Sequence, residues 1–344
     1  MDINTLHSSL IVSLDDPALA GAVKELNTIF IERDREALQN YVNEPDLVSA
    51  YAAFYMPTNM LKLKFVFAQL KHVLKNIEQP VEIYDIGCGT GTYAAAFYEI
   101  MSDAADDAEY QLVDRSPLML QQAKSIIAAL YPDMKAVYNT RLLCGPKKNF
   151  RIVLFGNVIN EAGVRYFQET VKLLDADMIV AIEPGTKDSF SLMGSVRRFM
   201  LKKQYSIIYP CPSDSRCPAE KKEGEWCHQV LRTSLDHNIE RLGQLSGLDR
   251  KTMPFIAHVY SRSEGVLSGN AQIFRLKKNT KHSFMWQLCV AGKSNRIMNV
   301  EVQKRGLDKQ TVKQFEQICA GRFIRFTVKK ELADGTLRIE AAFP

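Results

Sequence analysis

Three cysteines lie close together in a polar segment and are the first candidates for chemistry. Cys211, Cys217 and Cys227 have the spacing C-x5-C-x9-C, whereas the whole chain of 344 residues contains only seven cysteines. Clustered cysteines in a chain without a secretion signal are more often metal ligands than disulfide partners. The spacing therefore favours a metal centre over scattered reduced thiols or a regulatory disulfide.

The kind of metal depends on the fourth ligand. Structural zinc usually pairs its cysteines as C-x2–4-C, and the present spacing is wider. Iron–sulfur clusters take four thiolates at variable spacing. Cys289 ends an apolar strand before a glycine turn, whereas Cys319 lies on the apolar side of a predicted helix and Cys144 fits either a ligand or a free thiol. His228 is an alternative fourth ligand for zinc, so the spacing leaves both metals open.

A glycine-rich loop is the second candidate. The stretch "YDIGCGTGTY", residues 84–93, follows an apolar strand, precedes a helix and reads D-x-G-x-G-x-G. Its members are Asp85, Gly87, Cys88, Gly89, Thr90 and Gly91. Glycines allow a tight turn and a close approach of a ligand to the backbone. Asp114 follows the last glycine by 23 residues and closes the second strand. A carboxylate there accepts hydrogen bonds from both ribose hydroxyls, so the loop predicts a nucleoside-containing cofactor.

Two cofactors fit a loop of this kind. A dinucleotide needs G-x-G-x-x-G around a pyrophosphate, and the carboxylate of Asp85 would repel that group. The same carboxylate suits the cationic amino-acid end of S-adenosylmethionine. The loop resembles the first motif of class I methyltransferases, which favours S-adenosylmethionine over a nicotinamide cofactor. That resemblance implies that the glycines lie under the methionine, that Asp114 binds the ribose, and that Arg115 and Ser116 border the adenosine.

The methyl-transfer zone is expected at the end of the next long strand. The stretch "FGNVINE", residues 155–161, supplies Asn157 and Asn160 as polar candidates. Each asparagine alternatively caps the helix or turn that follows. The chain has no N-P-P-Y type motif, so we assign no catalytic residue. Methyl transfer mainly needs alignment of donor and acceptor, and a catalytic base is optional.

The elements that position these residues follow from the apolar pattern. Residues 17–78 repeat apolar residues at three- and four-residue spacing, which predicts helices. From Val81 short apolar strands alternate with helical stretches, which predicts an α/β fold, a Rossmann-like class I methyltransferase with seven mostly parallel strands. The predicted domains are 1–78 (helical), 79–265 (methyltransferase-like, with a metal-binding insertion at about 186–253) and 266–344 (a β-rich C-terminal extension).

The charge is distributed unevenly along the chain. Residues 1–190 carry 17 Lys and Arg against 25 Asp and Glu, and residues 191–344 carry 27 against 14. The first part is therefore at −8 and the second at +13. This asymmetry favours a polyanionic partner for the second part, although a merely soluble basic surface is equally compatible with it.

A series of motifs resembles a known family. The series is "AIEPGTKDSF" (181–190), "PCPSDSRCP" (210–218), "EWCH" (225–228) and "LC" (288–289), with "AYAAFYMPTNM" (50–60) and "NVINE" (157–161) before it. In this order they resemble the methyltransferase-like assembly factors of the mitochondrial small ribosomal subunit and their bacterial relatives. The resemblance covers about residues 45–305 and leaves the part after 305 without a role.

The resemblance implies a [4Fe–4S] cluster on Cys211, Cys217, Cys227 and Cys289, S-adenosylmethionine at residues 85–92, and binding to small-subunit ribosomal RNA. The expected function is RNA methylation in ribosome assembly. The alternatives are a non-catalytic RNA-binding assembly factor and a small-molecule methyltransferase. The N-terminus has no basic leader and no apolar run reaches the length of a membrane span, so we expect a cytoplasmic location and neither a membrane nor DNA as partner.

Overall fold

The computed structural model of the chain describes residues 1–32, 34–101, 108–222, 224–263 and 270–344. They form two compact units, each built from separated stretches of chain. The first unit comprises Met1–Ala68, Leu74–Ala181 and Thr233–Thr252, and the second comprises Gln69–Val73, Ile182–Arg232 and Met253–Pro344. The three domains predicted from the sequence, with their own bounds, stay a prediction. Among the helices described, none combines the length and the hydropathy that a membrane span requires.

Helices open the chain, as predicted. They are α1 (Ile3–Ser8), α2 (Asp16–Glu32), α3 (Arg35–Asn40), α4 (Pro45–Ala50), α5 (Met56–Phe67) and α6 (Lys71–Lys75). A π-helical turn at Tyr51–Tyr55 joins α4 to α5. Nearly every side chain from Leu47 to Phe67 is buried, because apolar residues occupy all sides of this stretch rather than one face.

A parallel sheet forms the centre of the first unit. Its strands are β1 (Val81–Ile86), β2 (Glu109–Val113), β3 (Lys135–Asn139), β4 (Phe150–Gly156) and β5 (Met178–Pro184), in the order β3-β2-β1-β4-β5. β1 pairs in parallel with both β2 and β4. The connecting helices are α7 (Thr92–Ile100), α8 (Pro117–Leu130) and α9 (Ile159–Leu174). The ligand side of such a sheet lies beyond the carboxyl ends of its strands, where the glycine loop follows β1.

The second unit contains the end of β5 and further strands. After α10 (Lys187–Lys202) come β6 (Ser206–Tyr209) and β7 (Gln229–Arg232), and β8 (Thr252–Ser261) follows α11 (His237–Ser246), which belongs to the first unit. β8 lies between β5 and β6 and is antiparallel to β6. The sheet has eight strands rather than the seven predicted, because the short β7 pairs with β8. The predicted fold class is confirmed: the fold is mixed α/β with a mostly parallel sheet and a strand-rich C-terminal part.

The C-terminal strands close into a barrel. They are β9 (Ala271–Asn279), β10 (Ser283–Val290), β11 (Arg296–Gln303), β12 (Phe323–Glu331) and β13 (Leu337–Ala342), with α12 (Lys309–Glu316) between β11 and β12. The closed order is β10-β11-β13-β12-β9. Alternate residues of each strand fill its interior, among them Trp286, Leu288, Val300 and Ile339, and Phe315 of α12 packs against them. Closure removes the strand edges that would otherwise be free to pair with another chain.

Candidate cofactor and metal sites

The glycine loop needs its glycines for conformation and for space. Gly87, Gly89 and Gly91 have φ of +65°, +53° and +80°, in the left-handed region that favours glycine. A Cβ on Gly87 would lie 2.5 Å from Cγ2 of Val158, whereas a Cβ on Gly89 would meet no atom within 4 Å. The N–H groups of Gly87 and Cys88 donate to the Val113 carbonyl at 2.8 and 3.1 Å. The loop therefore folds over the end of β2 and has open space at its middle glycine.

Asp85 presents a buried acceptor beneath this loop. The residue is 1 % exposed, and its Oδ2 accepts from the Ala94 N–H at 2.9 Å. Its Oδ1 is buried and has no donor among the described residues. Burial raises the pKa of Asp85 to about 7. A buried oxygen without a partner is costly, and a cationic group bound at the loop would satisfy it.

Replacing Asp85 by asparagine is expected to flatten the pH dependence of stability in the cofactor-free chain. The folded pKa of about 7 lies above the ordinary 3.8, so its stabilisation is complete below about pH 4 and is lost as pH rises through 7. The shift corresponds to roughly 4 kcal/mol, and Asp85→Asn should gain up to about that amount over the wild type at pH 8. Urea unfolding of both proteins between pH 4 and 8 measures the difference; parallel pH curves would contradict the assignment.

Asp114 is held in place by two backbone groups. The Gly89 N–H donates to Oδ2 and the Ser116 N–H donates to Oδ1, both at 2.9 Å. Burial raises the pKa of Asp114. Each carboxylate oxygen has a second lone pair, so the carboxylate can still accept from two ribose hydroxyls. The structure thus brings Asp114 to the middle of the loop, where the sequence placed it.

The other residues of the predicted cofactor site have different surroundings. Cys88 and Thr90 are buried, and burial raises the pKa of the Cys88 thiol well above its ordinary value, which disfavours a thiolate there. Ser116 caps α8 by accepting from the Met119 N–H at 3.2 Å. Arg115 Nη2 donates to the Gln39 carbonyl at 3.1 Å. Arg115 thereby ties the second strand to the N-terminal helices.

Asn157 stands in a constrained position at the end of β4. Its φ is +59°, which is uncommon for a residue other than glycine. A Cβ on the preceding Gly156 would overlap the Tyr93 ring at 1.9 Å, so the backbone passes directly against that ring. Asn157 Oδ1 is buried without a donor among the described residues. Asn157 therefore offers a second buried acceptor, whereas Asn160 lies within α9.

Two charged residues near this zone were not predicted from the sequence. Glu161 keeps exposed surface, but its carboxyl group lies deep enough that desolvation raises its pKa to about 7, with Asp114 contributing. Arg250 stacks on the Tyr55 ring at 5.0 Å and donates to Asn59 Oδ1 at 3.0 Å. Arg250 also lines a groove of about 310 Å³. Both residues follow patterns that look like ordinary helix and turn positions, so only the fold reveals them.

The second unit brings the four predicted cysteines together. All four are free thiols, and burial raises the pKa of each of them, that of Cys211 to about 11. Each of the six pairs among Cys211, Cys217, Cys227 and Cys289 is close enough for the charge of one thiolate to raise the pKa of another. Cys144 and Cys319 take no part in these interactions with the four, and Cys319 lies past the end of α12. The convergence joins residues separated by up to 78 positions in the sequence.

Arg197 is a further residue of this group that the sequence did not reveal. Its guanidinium makes a hydrogen bond with Cys211, and its Nη2 donates to the carbonyls of Asp214 at 3.0 Å and Ser215 at 2.6 Å. Asn295 supports the same segment, because its Nδ2 donates to the Ser215 carbonyl at 3.2 Å. A cation beside a thiol favours the thiolate form, which is the form that binds metal.

The donor arrangement separates the two metals considered. Within the described ranges no three His, Cys, Asp or Glu side chains are placed to hold a metal ion. Four thiolates around one zinc ion need Zn–S distances near 2.3 Å, so the thiols do not fit the zinc alternative. His228 stacks on the Trp226 ring at 5.3 Å between centroids and is no better placed. A [4Fe–4S] core binds each thiolate through a different iron and so spaces its sulfurs more widely.

The strand order, the glycine loop and the two buried carboxylates define an α/β protein of the class I methyltransferase type. The family model described as "Mitochondrial small ribosomal subunit Rsm22" matches residues 45–310. The chain therefore belongs to the Rsm22 family, as the motif series predicted.

Two relatives from Schizosaccharomyces pombe are similar to the chain. Rsm22-cox11 tandem proteins 1 and 2, mitochondrial, are each 28 % identical to it over 199 residues. The match covers 52 % of this chain and about a quarter (26 %) of each relative. Among solved structures, the plantazolicin methyltransferase BpumL has a TM-score of 0.39 and 14 % identity, covering 70 % of this chain and 98 % of that one. A likeness at this level does not bear on the fold, which the strand order defines.

Proposed function

We propose that the chain is a methyltransferase dependent on S-adenosylmethionine that acts on or binds small-subunit ribosomal RNA and carries a structural [4Fe–4S] cluster. The observation that carries the first part is the buried Asp85 Oδ1, which has no donor among the described residues and lies under the glycine loop. An ammonium group, directly or through a water, would supply the missing donor.

The residues of the loop divide the work of binding. S-adenosylmethionine supplies an activated methyl group on a sulfonium. Asp85 orients the amino-acid end, the open backbone at Gly89 accommodates it, and Asp114 accepts from the ribose hydroxyls. Asn157 Oδ1 is the polar atom that the end of β4 offers to an acceptor group. Alignment of the two reactants accounts for most of the acceleration expected in such a displacement.

The RNA partner is supported by family membership and by charge. The family description refers to the small ribosomal subunit, and residues 191–344 carry 27 Lys and Arg against 14 Asp and Glu. Lys and Arg side chains neutralise phosphates and release counterions, which gives RNA binding its salt dependence. The cytoplasmic location predicted from the sequence stays a prediction, since the family description and the names of both yeast relatives include the word mitochondrial.

The cluster is proposed as a structural element. Cys211, Cys217, Cys227 and Cys289 would hold it, with Arg197 beside Cys211. Closing a long separation through metal bonds orders a polar segment that has little apolar surface of its own to bury. Its chemistry at this place is therefore cross-linking of the segment to β10.

Two measurements test the proposed function. Calorimetric titration of the full chain with S-adenosylmethionine should give saturable binding to one site. Transfer of a labelled methyl group is then measured on small ribosomal subunits from cells that lack the protein, and we expect label in the RNA. Binding without transfer to any RNA would favour the non-catalytic assembly factor, which the absence of an N-P-P-Y type motif in the sequence also favours. No binding would contradict the proposal.

A further inference from the structure

The C-terminal barrel has the topology of an OB-fold. Numbered from β9, its strands follow the closed order 1-2-3-5-4, with the helix α12 between the third and the fourth. The third and fifth strands, β11 and β13, pair in parallel, and the other pairs described are antiparallel. OB-folds bind oligonucleotides or oligosaccharides on the outer face of their second and third strands. The corresponding face here is that of β10 and β11.

The outer face of these strands is polar and partly exposed. Residues that alternate with the buried interior point outward, which places Met285 and Gln287 on β10 and Asn299 on β11. Gln287 lies opposite Asn299, and its Nε2 donates to Asn299 Oδ1 at 3.0 Å. Lys278 of β9 lies opposite Met285. Amide, thioether and ammonium groups in this arrangement suit bases and phosphates.

The cysteine segment covers one end of the same face. Cys289 and its partner Ile297 have the outward parity of Gln287 and Asn299, yet Cys289 is buried beneath that segment. Trp226 of the segment lies over the Arg275 guanidinium at 5.8 Å, and Glu225 pairs with Arg275 at 2.5 Å. The segment thus limits the face on one side and leaves the side at Lys278 accessible.

The charge of the barrel complements a polyanion. Residues 271–344 contain 15 Lys and Arg against 6 Asp and Glu, a net charge of +9. Lys277, Lys278 and Lys281 are all exposed, within five positions at the end of β9 and in the turn that leads into β10. The turn between the first two strands flanks the binding face of OB-folds. A neutral sugar would gain nothing from this charge, whereas a phosphate backbone gains from every cation.

We propose that the outer face of β10 and β11, with the lysines at the end of β9, binds single-stranded RNA. This deepens the RNA-binding part of the proposed function and gives a role to the residues that follow position 310, where the family match ends. A strand of about 4–16 nucleotides is the usual site size of one OB-fold. Phosphates contact Lys278 and Lys281, and Gln287 and Asn299 offer hydrogen bonds to base edges.

The test compares two double variants of the full chain. Lys278→Gln with Lys281→Gln removes two cations beside the face. Lys309→Gln with Lys313→Gln removes two exposed lysines on α12, the helix whose Phe315 packs into the barrel interior. Fluorescence anisotropy with a labelled 12-nucleotide RNA is recorded from low to moderate salt. We expect the first variant to lower the slope of log K against log salt by about 1.4, at roughly 0.7 per phosphate contact. The second should match the wild type.

Each other result overturns the proposal or part of it. Equal slopes for both double variants would remove the barrel face as the site while leaving RNA binding and methyl transfer intact. Equal affinity for the same sequence in a duplex, or for a sulfated polysaccharide of matched charge, would reduce the face to a general polyanion surface. Absence of RNA binding by the wild type would contradict the RNA part of the proposed function as well. Titration with S-adenosylmethionine, which the lysine variants should not change, keeps the cofactor part separate.

Discussion

Cys289→Ser is expected to remove most of the iron from protein purified without oxygen and to expose the cysteine segment to protease. Cys289 lies on β10 and is coupled to both Cys211 and Cys217, although the sequence separates it from the other three by at least 62 positions. It is therefore the ligand that joins the segment to the barrel. Loss of a group that binds only the folded state, at a thousandfold over its dissociation constant, removes about 4 kcal/mol of stability.

The chain offers a matched control for this variant. Cys319 is about as buried as Cys289, at 5 % against 7 % exposed, and it stands outside the group of four. Cys319→Ser should retain the iron, the visible absorbance and the protease resistance of the wild type. Iron content and absorbance report on the cluster, and the cleavage site between residues 205 and 230 reports on the segment.

Two results would contradict the cluster. Wild-type protein prepared without oxygen that contains neither iron nor visible absorbance would exclude it. Cys289→Ser with unchanged iron would show that another group takes the fourth position. A variant that keeps its protease resistance after losing iron would leave a cluster in place but remove its structural role, since the contacts of Arg197 and Asn295 would then suffice to order the segment.

The sequence predicted the glycine loop and the four cysteines because each depends on short-range or chemical pattern. A turn that needs left-handed backbone selects glycine at fixed offsets, and the strand before it is a plain apolar run. The convergence of Cys289 on the distant segment follows from strand pairing in the barrel. Spacing alone left it open, and only the family resemblance implied it.

The parts that the sequence did not reveal depend on tertiary contacts. Strand β3, "KAVYN", carries an exposed lysine and no buried residue, so it has no apolar run to mark it. Closure of the barrel depends on the parallel pairing of β11 with β13, which joins strands far apart in sequence and leaves no local pattern. Arg197 lies on α10 among other basic residues, and its burial against the Asp214 and Ser215 carbonyls marks it only in the folded chain.

Asp114→Ala is expected to weaken binding of S-adenosylmethionine by at least about a hundredfold. The proposed site gives this carboxylate two ribose hydroxyls, and hydrogen bonds to a charged group contribute about 1.5–3 kcal/mol each. Two such bonds amount to roughly 3 kcal/mol at the low end, and each 1.4 kcal/mol is a factor of ten in the dissociation constant. The variant also loses the acceptors for the Gly89 and Ser116 N–H groups, so the loop itself becomes less ordered.

A second variant separates the loss of ribose contacts from a loss of fold. Asp133→Ala removes an exposed carboxylate from a turn of the same unit and should leave the affinity unchanged. Thermal unfolding of all three proteins without ligand shows how much Asp114→Ala destabilises the loop. Calorimetry at a temperature where each is folded then gives the affinity. S-adenosylmethionine binding to Asp114→Ala within threefold of wild type, at the ~0.65 kcal/mol that this factor represents, would remove Asp114 from the cofactor site, and with it the reason that a carboxylate closes β2.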